Sequence, residues 1–245
     1  MTRLLLLAGT AEARQMARAL SNEPRVMTIA SLAGATRTPE PLGVLTRIGG
    51  FGGRKAFGQW LRKERVDAVL DATHPFAVSM SHRTFDVCIE EGVSYMQFLR
   101  TPWSPEDGDT WSFVNSEEDV HKHVPEGARV LLTTGGHSAD RFGPLPGRVV
   151  FGRRVDATND PFPFETGRWI VSRPPYRTGD EIALLQRHRI DWVVARNSGG
   201  SSGRAKLDAA RELGVPVAMI RRPMQPESPR VATVSAALAW VRSLV

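Results

Sequence analysis

Glycines recur in this chain where a short aliphatic run gives way to a helical pattern, and the residues beside them are of the types that hold anions and move protons. The first such place is Leu7-Ala8-Gly9-Thr10-Ala11-Glu12-Ala13-Arg14. Glycine lets the backbone approach a phosphate closely, and a helix start presents free N–H groups and the positive end of its dipole. The segment lacks the full G-x-G-x-x-G spacing, so taken alone it reads equally as a tight strand-to-helix turn. The second place is Ser31-Leu32-Ala33-Gly34-Ala35-Thr36-Arg37. At the end of the second strand of a dinucleotide fold, an acidic residue suits a free ribose 2′-hydroxyl, whereas Arg and small hydroxyl residues suit a 2′-phosphate. No acid is present here, and Ser31, Thr36 and Arg37 are. If a dinucleotide binds, NADP is favoured over NAD.

Gly49-Gly50-Phe51-Gly52-Gly53 places four glycines in five positions. Each costs roughly 0.5–1 kcal/mol where a regular element would do, so a simple turn would not need so many. Close approach of backbone to a flat ligand explains them. Asp71-Ala72-Thr73-His74-Pro75-Phe76-Ala77 brings together a carboxylate, a hydroxyl and an imidazole, a set able to bind cofactor or substrate or to transfer a proton. The local alternative is that Thr73 or Asp71 caps the next helix, with Pro75 in its first turn. Further on, Thr133-Thr134-Gly135-Gly136-His137 follows a strand pattern. Arg196-Asn197-Ser198-Gly199-Gly200-Ser201-Ser202-Gly203 then leads into a helical pattern with Lys206 one turn inside. That run of small residues and backbone amides is built like an anion cradle, with a flexible surface loop as the plain alternative. The histidines outside these turns, and His137, show no metal spacing backed by cysteines or carboxylates, and no metal is expected.

The elements that must position these turns alternate along the chain. Strand patterns fall at residues 3–8, 26–31, 66–71 and 94–99, with helical patterns at 12–21, 54–64 and 78–91. Pro102, Pro105 and Gly108 then break the rhythm, which sets a domain boundary near residue 100 and two expected domains, 1–100 and 101–245. The second half resumes with strands at 110–114, 129–133, 148–155, 169–172, 192–195 and 215–220, and helices at 116–123, 179–188, 204–213 and 235–244. Residues 156–166, with Pro161, Phe162, Pro163 and Phe164, read as a loop that packs against or caps something. Such alternation signals α/β architecture with mostly parallel sheets. The expectation is two Rossmann-like, doubly wound lobes facing a central cleft, with ligands at the carboxyl ends of the strands.

Composition narrows the partners. No apolar run approaches the roughly 20 residues that span a bilayer, and Leu4 to Leu7 followed by Glu12 reads as a buried strand rather than a signal peptide. A cytoplasmic protein without membrane contact is expected. The single Cys88 rules out a disulfide within one chain and, among Phe85, Val87 and Ile89, reads as a small buried hydrophobe. The net charge is +6, and only four of the 32 basic residues are lysines. Arginine favours planar, bidentate binding of carboxylate and phosphate. The arginines are scattered and no nucleic-acid recognition signature accompanies them, so a small polyanion fits better than a nucleic acid. Arginine-rich codon usage explains the bias equally well.

Taken in order, Gly9-Thr10 with Glu12-Ala13-Arg14, Leu32-Ala33-Gly34, the 49–53 turn, the 71–77 turn, Arg100 with Pro102 and Trp103, Thr133 to Gly135, and Asn197 to Gly200 with Lys206-Leu207 resemble the precorrin-6A reductase family of corrin biosynthesis. Each motif is unspecific; the series covers nearly the whole chain. The resemblance implies NADPH-dependent reduction of one macrocycle double bond of precorrin-6A to precorrin-6B, on the path to cobalamin. The substrate would be a tetrapyrrole fringed with carboxylates, which an arginine-rich site would attract. It implies that Gly9, Thr10, Ser31, Gly34, Thr36, Arg37, Gly50 and Thr73 serve the cofactor. Gly52, Gly53, Gly135, Asn197, Ser198, Gly199, Gly200 and Lys206 would serve the substrate, and His74, Asp71 and Arg14 would be the polar groups near the reacting ring. The chain departs from the family pattern at Ala8, Ala35 and Arg196, where the family often has Gly, Arg and Lys. With Ala35 in that place, the 2′-phosphate role passes to Arg37. A monomer is the working expectation. A different NADP-dependent reductase and a non-catalytic NADPH sensor on the same scaffold are the other classes open.

Overall fold

The leucines at 4–7 lie at the centre of the first of two parallel sheets. In the computed structural model, which describes residues 1–34 and 40–245, the chain divides into one unit of Met1–Thr101 with Pro223–Val245 and a second of Pro102–Arg222. In the first unit, β1 (Thr2–Leu7), α1 (Ala11–Leu20), β2 (Val26–Leu32), β3 (Leu45–Ile48), α2 (Arg54–Glu64), β4 (Ala68–Asp71), α3 (Val78–Glu91) and β5 (Ser94–Phe98) follow one another. After the excursion into the second unit, β12 (Arg230–Val231) and α6 (Val234–Arg242) complete it. The sheet order is β3-β2-β1-β4-β5-β12, all parallel. That is the 3-2-1-4-5-6 order of dinucleotide-binding sheets, whose switch point lies between β1 and its two neighbours.

A sheet covered on both faces needs apolar residues at every position rather than at alternate ones. Leu4 and Leu6 pack with Ala13, Met16 and Ala17 of α1 and with Ala237 and Val241 of α6. Leu5 and Leu7 pack on the other face with Phe57 and Leu61 of α2 and with Val87 and Cys88 of α3. Burial pushes the Cys88 thiol up to about 12, with the charge of Asp71 adding to the effect, so it stays protonated and apolar.

The second unit comprises β6 (Trp111–Val114), a 3-10 helix (Glu118–Lys122), β7 (Arg129–Leu132), a second 3-10 helix (Gly136–Phe142), β8 (Val149–Arg154), β9 (Gly167–Val171), α4 (Thr178–Arg187), β10 (Trp192–Arg196), α5 (Ala205–Glu212) and β11 (Val217–Ile220). Its order is β9-β8-β7-β10-β11-β6, again all parallel. The switch point is at β7, and the sixth place goes to the strand that comes first in the chain. Leu131, Val193, Ala195 and Met219 form its core with Leu185 of α4 and Leu207, Ala209 and Ala210 of α5.

The expected α/β class with parallel sheets is what the chain adopts. The second domain, expected to run to 245, is corrected at residue 222. β12 pairs with Gln97 and Phe98 of β5, and α6 buries Ala237 and Val241 beside α1, so apolar burial returns this segment to the first unit. Two strands went unread. β12 has two residues, too few to carry a pattern, and β3 is an edge strand with Leu45 and Ile48 exposed. The helix expected at 116–123 is the short 3-10 helix Glu118–Lys122. The 156–166 loop packs as expected, with the Phe162 ring edge-on to Trp169 at 5.1 Å.

Candidate functional site

The turn after β1 is the most fully built of the glycine turns. Thr10 caps α1: its hydroxyl accepts from the Ala13 N–H at 3.1 Å and donates to the Ala72 carbonyl at 3.0 Å, so one side chain ties the helix start to the segment leaving β4. Gly9 has φ +145° with nothing within 4 Å of where a Cβ would stand. L side chains rarely adopt that conformation, and a glycine leaves the backbone open to a ligand. Glu12 in the first turn favours the helix dipole but would repel an anion; it pairs at 2.5 Å with the buried Arg100 guanidinium, which offsets its charge. Arg14 forms an ion pair at 3.0 Å with the strongly exposed Glu40.

Beside this turn lies a cavity of about 110 Å³ lined by Leu7, Ala8, Ser31, Ala33, Gly49, Gly50, Phe51, Gly53, Phe57, Thr73, Met80 and Arg83. A water takes about 30 Å³ of the liquid, so the space seats one end of an extended ligand rather than all of it. Its walls come from the carboxyl ends of β1, β2 and β4, the turn after β3, and α2 and α3, where ligands of such sheets bind. Its lining includes Ser31, Gly50 and Thr73, expected to serve the cofactor, Gly53, expected to serve the substrate, and Arg83, which the sequence pattern does not single out; Arg47, also not singled out, bonds to Ser31 beside it. Arg47 of β3 donates from Nη1 to Ser31 Oγ at 2.7 Å and to the Gly49 carbonyl at 2.9 Å, and from Nη2 to the Gly50 carbonyl at 2.9 Å. Its guanidinium lies 3.8 Å above the Phe51 ring centre. Burial alone pulls its pKa down from the ordinary value. Arg83 lines the cavity from α3 and makes no hydrogen bond or ion pair among the described residues. Arg47 was hidden because its strand was unread, and Arg83 because it looked like part of a solvated helix face. Gly34 sits at the end of β2 against Ile48, and Gly52 belongs to the turn after β3. Thr36 and Arg37 lie outside the described residues.

The end of β4 carries a buried carboxylate. Asp71 is 1% exposed. Its carboxylate accepts from the Thr73 N–H at 3.1 Å, the Thr73 hydroxyl at 2.7 Å and the Tyr95 hydroxyl at 2.9 Å. Burial, then the charge of Asp71, holds the Tyr95 proton in place by raising its pKa. With its oxygens bonded in this way, Asp71 positions Thr73. His74 Nδ1 accepts from the Phe76 N–H at 3.3 Å, which puts the proton of the neutral ring on Nε2.

In the second unit the 197–203 segment turns out to be the seat of Trp103. Asn197, 6% exposed, accepts from the Trp103 N–H at 2.8 Å and donates to the Trp103 carbonyl at 2.9 Å. The Gly200 carbonyl takes the indole N–H at 2.8 Å. A Cβ on Gly203 would stand 3.0 Å from the indole ring. Lys206 donates to the Gly203 carbonyl at 2.7 Å and lies 5.0 Å from the indole ring centre. The small residues that suggested an anion cradle are thus used in large part to admit an indole, and both ends of the Asn197 amide bond the Trp103 backbone. The Ser198 and Gly199 backbone is held through Arg222, which donates to the Asn197 and Ser198 carbonyls at 2.7 and 2.9 Å. Gly135, φ +87°, opens the 3-10 helix after β7.

Comparison with known proteins adds an independent line. A family model described as precorrin-6x reductase CbiJ/CobK matches residues 3–242. A precorrin-6A reductase of Rhodococcus erythropolis is 41% identical over 247 residues, covering 100% of this chain and 99% of the relative. One from Mycobacterium tuberculosis is 43% identical over 247 residues, with the same coverage. A solved structure described as CobK precorrin-6A reductase superposes with a TM-score of 0.95 at 37% identity, covering 99% of this chain and 97% of that one.

Proposed function

The chain belongs to the precorrin-6x reductase family, and on that premise we propose that it reduces one macrocycle double bond of precorrin-6A, with NADPH as hydride donor, to give precorrin-6B in cobalamin biosynthesis. The observation that carries the nucleotide half of this reading is the α1 start. There an open Gly9, a capped helix and a neutralised Glu12 meet at the switch point of a 3-2-1-4-5-6 sheet. The cavity beside it fits a nucleotide end in kind: apolar walls for a flat ring, with Ser31 and Arg83 for polar groups. In this reading the first unit is the nucleotide-binding domain and the second the substrate-binding domain.

The chemistry supplied by the bound nucleotide is hydride transfer. The residues of the chain then bind, orient and protonate. The amides at the α1 start that the Thr10 cap leaves free bind the pyrophosphate. Asp71 and Tyr95 fix Thr73 at the floor of the site. His74, with its neutral-ring proton on Nε2, is the proton donor to a ring nitrogen of the macrocycle, which makes the conjugated system a better hydride acceptor.

Mixing the protein with NADPH and precorrin-6A and following nucleotide absorbance tests the whole reading. Oxidation of NADPH only when both are present is expected; no oxidation with precorrin-6A defeats it. His74→Ala should cut turnover about a hundred-fold or more while NADPH affinity survives, and unchanged turnover removes His74 as the donor.

A further inference from the structure

We propose that Arg47, with Ser31, forms the seat of the ribose 2′-phosphate and so sets the preference for NADPH over NADH. This rests on the reading that the first unit binds a nicotinamide dinucleotide.

In sheets of this order the end of the second strand meets the adenosine ribose. Here that end is Ser31, 6% exposed and lining the cavity. Its oxygen accepts from Arg47 at 2.7 Å, and its own proton has no acceptor among the described residues. A buried hydroxyl with a donor to spare is costly unless something arrives to take it. The charged group bonded to it comes from β3.

Several arginines of the same unit give up their charge to a carboxylate, and Arg47 does not. Arg3, Arg14, Arg54, Arg62 and Arg100 each pair with a carboxylate; Arg47 pairs with none among the described residues. Its partners are a hydroxyl and two carbonyls, and Phe51 and Trp60 lie 3.8 and 5.5 Å from its guanidinium. Those contacts fix the plane of the group but leave its charge standing. They use three of its five N–H groups. One Nη2–H and the Nε–H remain, on the edge turned away from Ser31, so the guanidinium and the Ser31 proton would meet a ribose phosphate from two sides. A phosphate monoester carries about −1.5 to −2 charges near neutral pH, which would offset the cost of keeping this cation partly buried.

The test is equilibrium titration of nucleotide fluorescence with NADPH and with NADH. Wild-type protein should prefer NADPH. Arg47→Gln should weaken NADPH by about ten- to a hundred-fold, the loss of a charge-assisted contact, while NADH affinity stays within about threefold, since NADH makes no such contact. Arg47→Lys should recover part of the preference, because the charge stays and the fork is lost. Ser31→Ala should weaken NADPH several-fold more than NADH, and it carries the test if Arg47→Gln does not fold. In displacement assays 2′-AMP should compete with NADPH on wild type better than 5′-AMP does, and lose that advantage in the Arg47 and Ser31 variants. Equal weakening of both nucleotides would mean that Arg47 only shapes the turn, and overturns the inference. So would an unchanged preference in Arg47→Gln, or a preference removed by Arg37→Gln alone. Wild-type protein that binds neither nucleotide defeats the underlying reading and the inference with it.

Discussion

The turn after β1 and the turn after β7 occupy the same place in two sheets of the same strand order, yet they are built for different ends. After β1, Gly9 stands open and Thr10 caps a ten-residue α-helix. After β7, Gly135 leads into a 3-10 helix without a side-chain cap, and the Arg154 side chain packs within 3.5 Å of where a Cβ of Gly136 would stand. A 3-10 turn has poorer hydrogen-bond geometry and no long dipole to aim at a phosphate. The arginines near the strand ends differ in the same sense. Arg47 of β3 keeps its charge, whereas Arg153 of β8 gives its charge to Glu181 in a buried fork at 2.8 and 2.9 Å. Strand order therefore gives both sheets a possible nucleotide site, and the helix start and uncommitted charge favour the first.

The largest way to strain this contrast is to break the Arg153–Glu181 fork. Glu181→Ala leaves a buried, unpaired guanidinium and should cost about 3–5 kcal/mol of stability, read by urea unfolding. Arg14→Ala, which removes the exposed pair with Glu40, should cost less than about 1 kcal/mol. Equal costs would mean that the Arg153 charge is not buried as described. Next in size is Gly9→Val, which forces a branched residue into φ +145° over the turn. NADPH affinity should fall about a hundred-fold or more, some 2.7 kcal/mol, whereas Gly135→Val, although it also lowers stability, should leave NADPH affinity within about threefold. Two variants with the same loss of affinity would erase the difference between the turns. Smaller again is Thr10→Ala, expected to lower stability by about 1 kcal/mol through loss of the cap, measured by the same unfolding.

Most of this contrast could not be seen in the sequence, although the fold could. The α/β alternation was legible because parallel strands buried on both faces leave unbroken runs such as Leu4 to Leu7. Gly9, Thr10, Ser31, Gly50, Gly53 and Thr73 were legible because glycine and small hydroxyl residues cluster where strands stop. Arg47 was not, since edge strand β3 exposes Leu45 and Ile48 and shows no core pattern. Nor was the return of residues 223–245 to the first unit, which depends on which core Ala237 and Val241 complete. The 197–203 run was legible only in part, because small residues serve equally to admit an anion and the indole of Trp103.

The smallest expected effect concerns pH and belongs to the second unit. His188 lies with its ring centre 4.9 Å from that of Phe151. Burial, and then Arg168, Arg187 and Arg129, lower its pKa below the ordinary value. A histidine that resists protonation in the folded state contributes stability that is complete above its unfolded pKa of about 6.5. That contribution is lost as pH falls through the lower folded value. The melting temperature of wild-type protein should therefore drop more between neutral and mildly acid pH than that of His188→Gln; parallel profiles would show that this histidine does not contribute.

The stoichiometry of NADPH binding bears most directly on the contrast between the turns. Titration of the full chain should saturate at one nucleotide per chain, held by the first unit. Saturation at two, or no saturable binding at all, would contradict it.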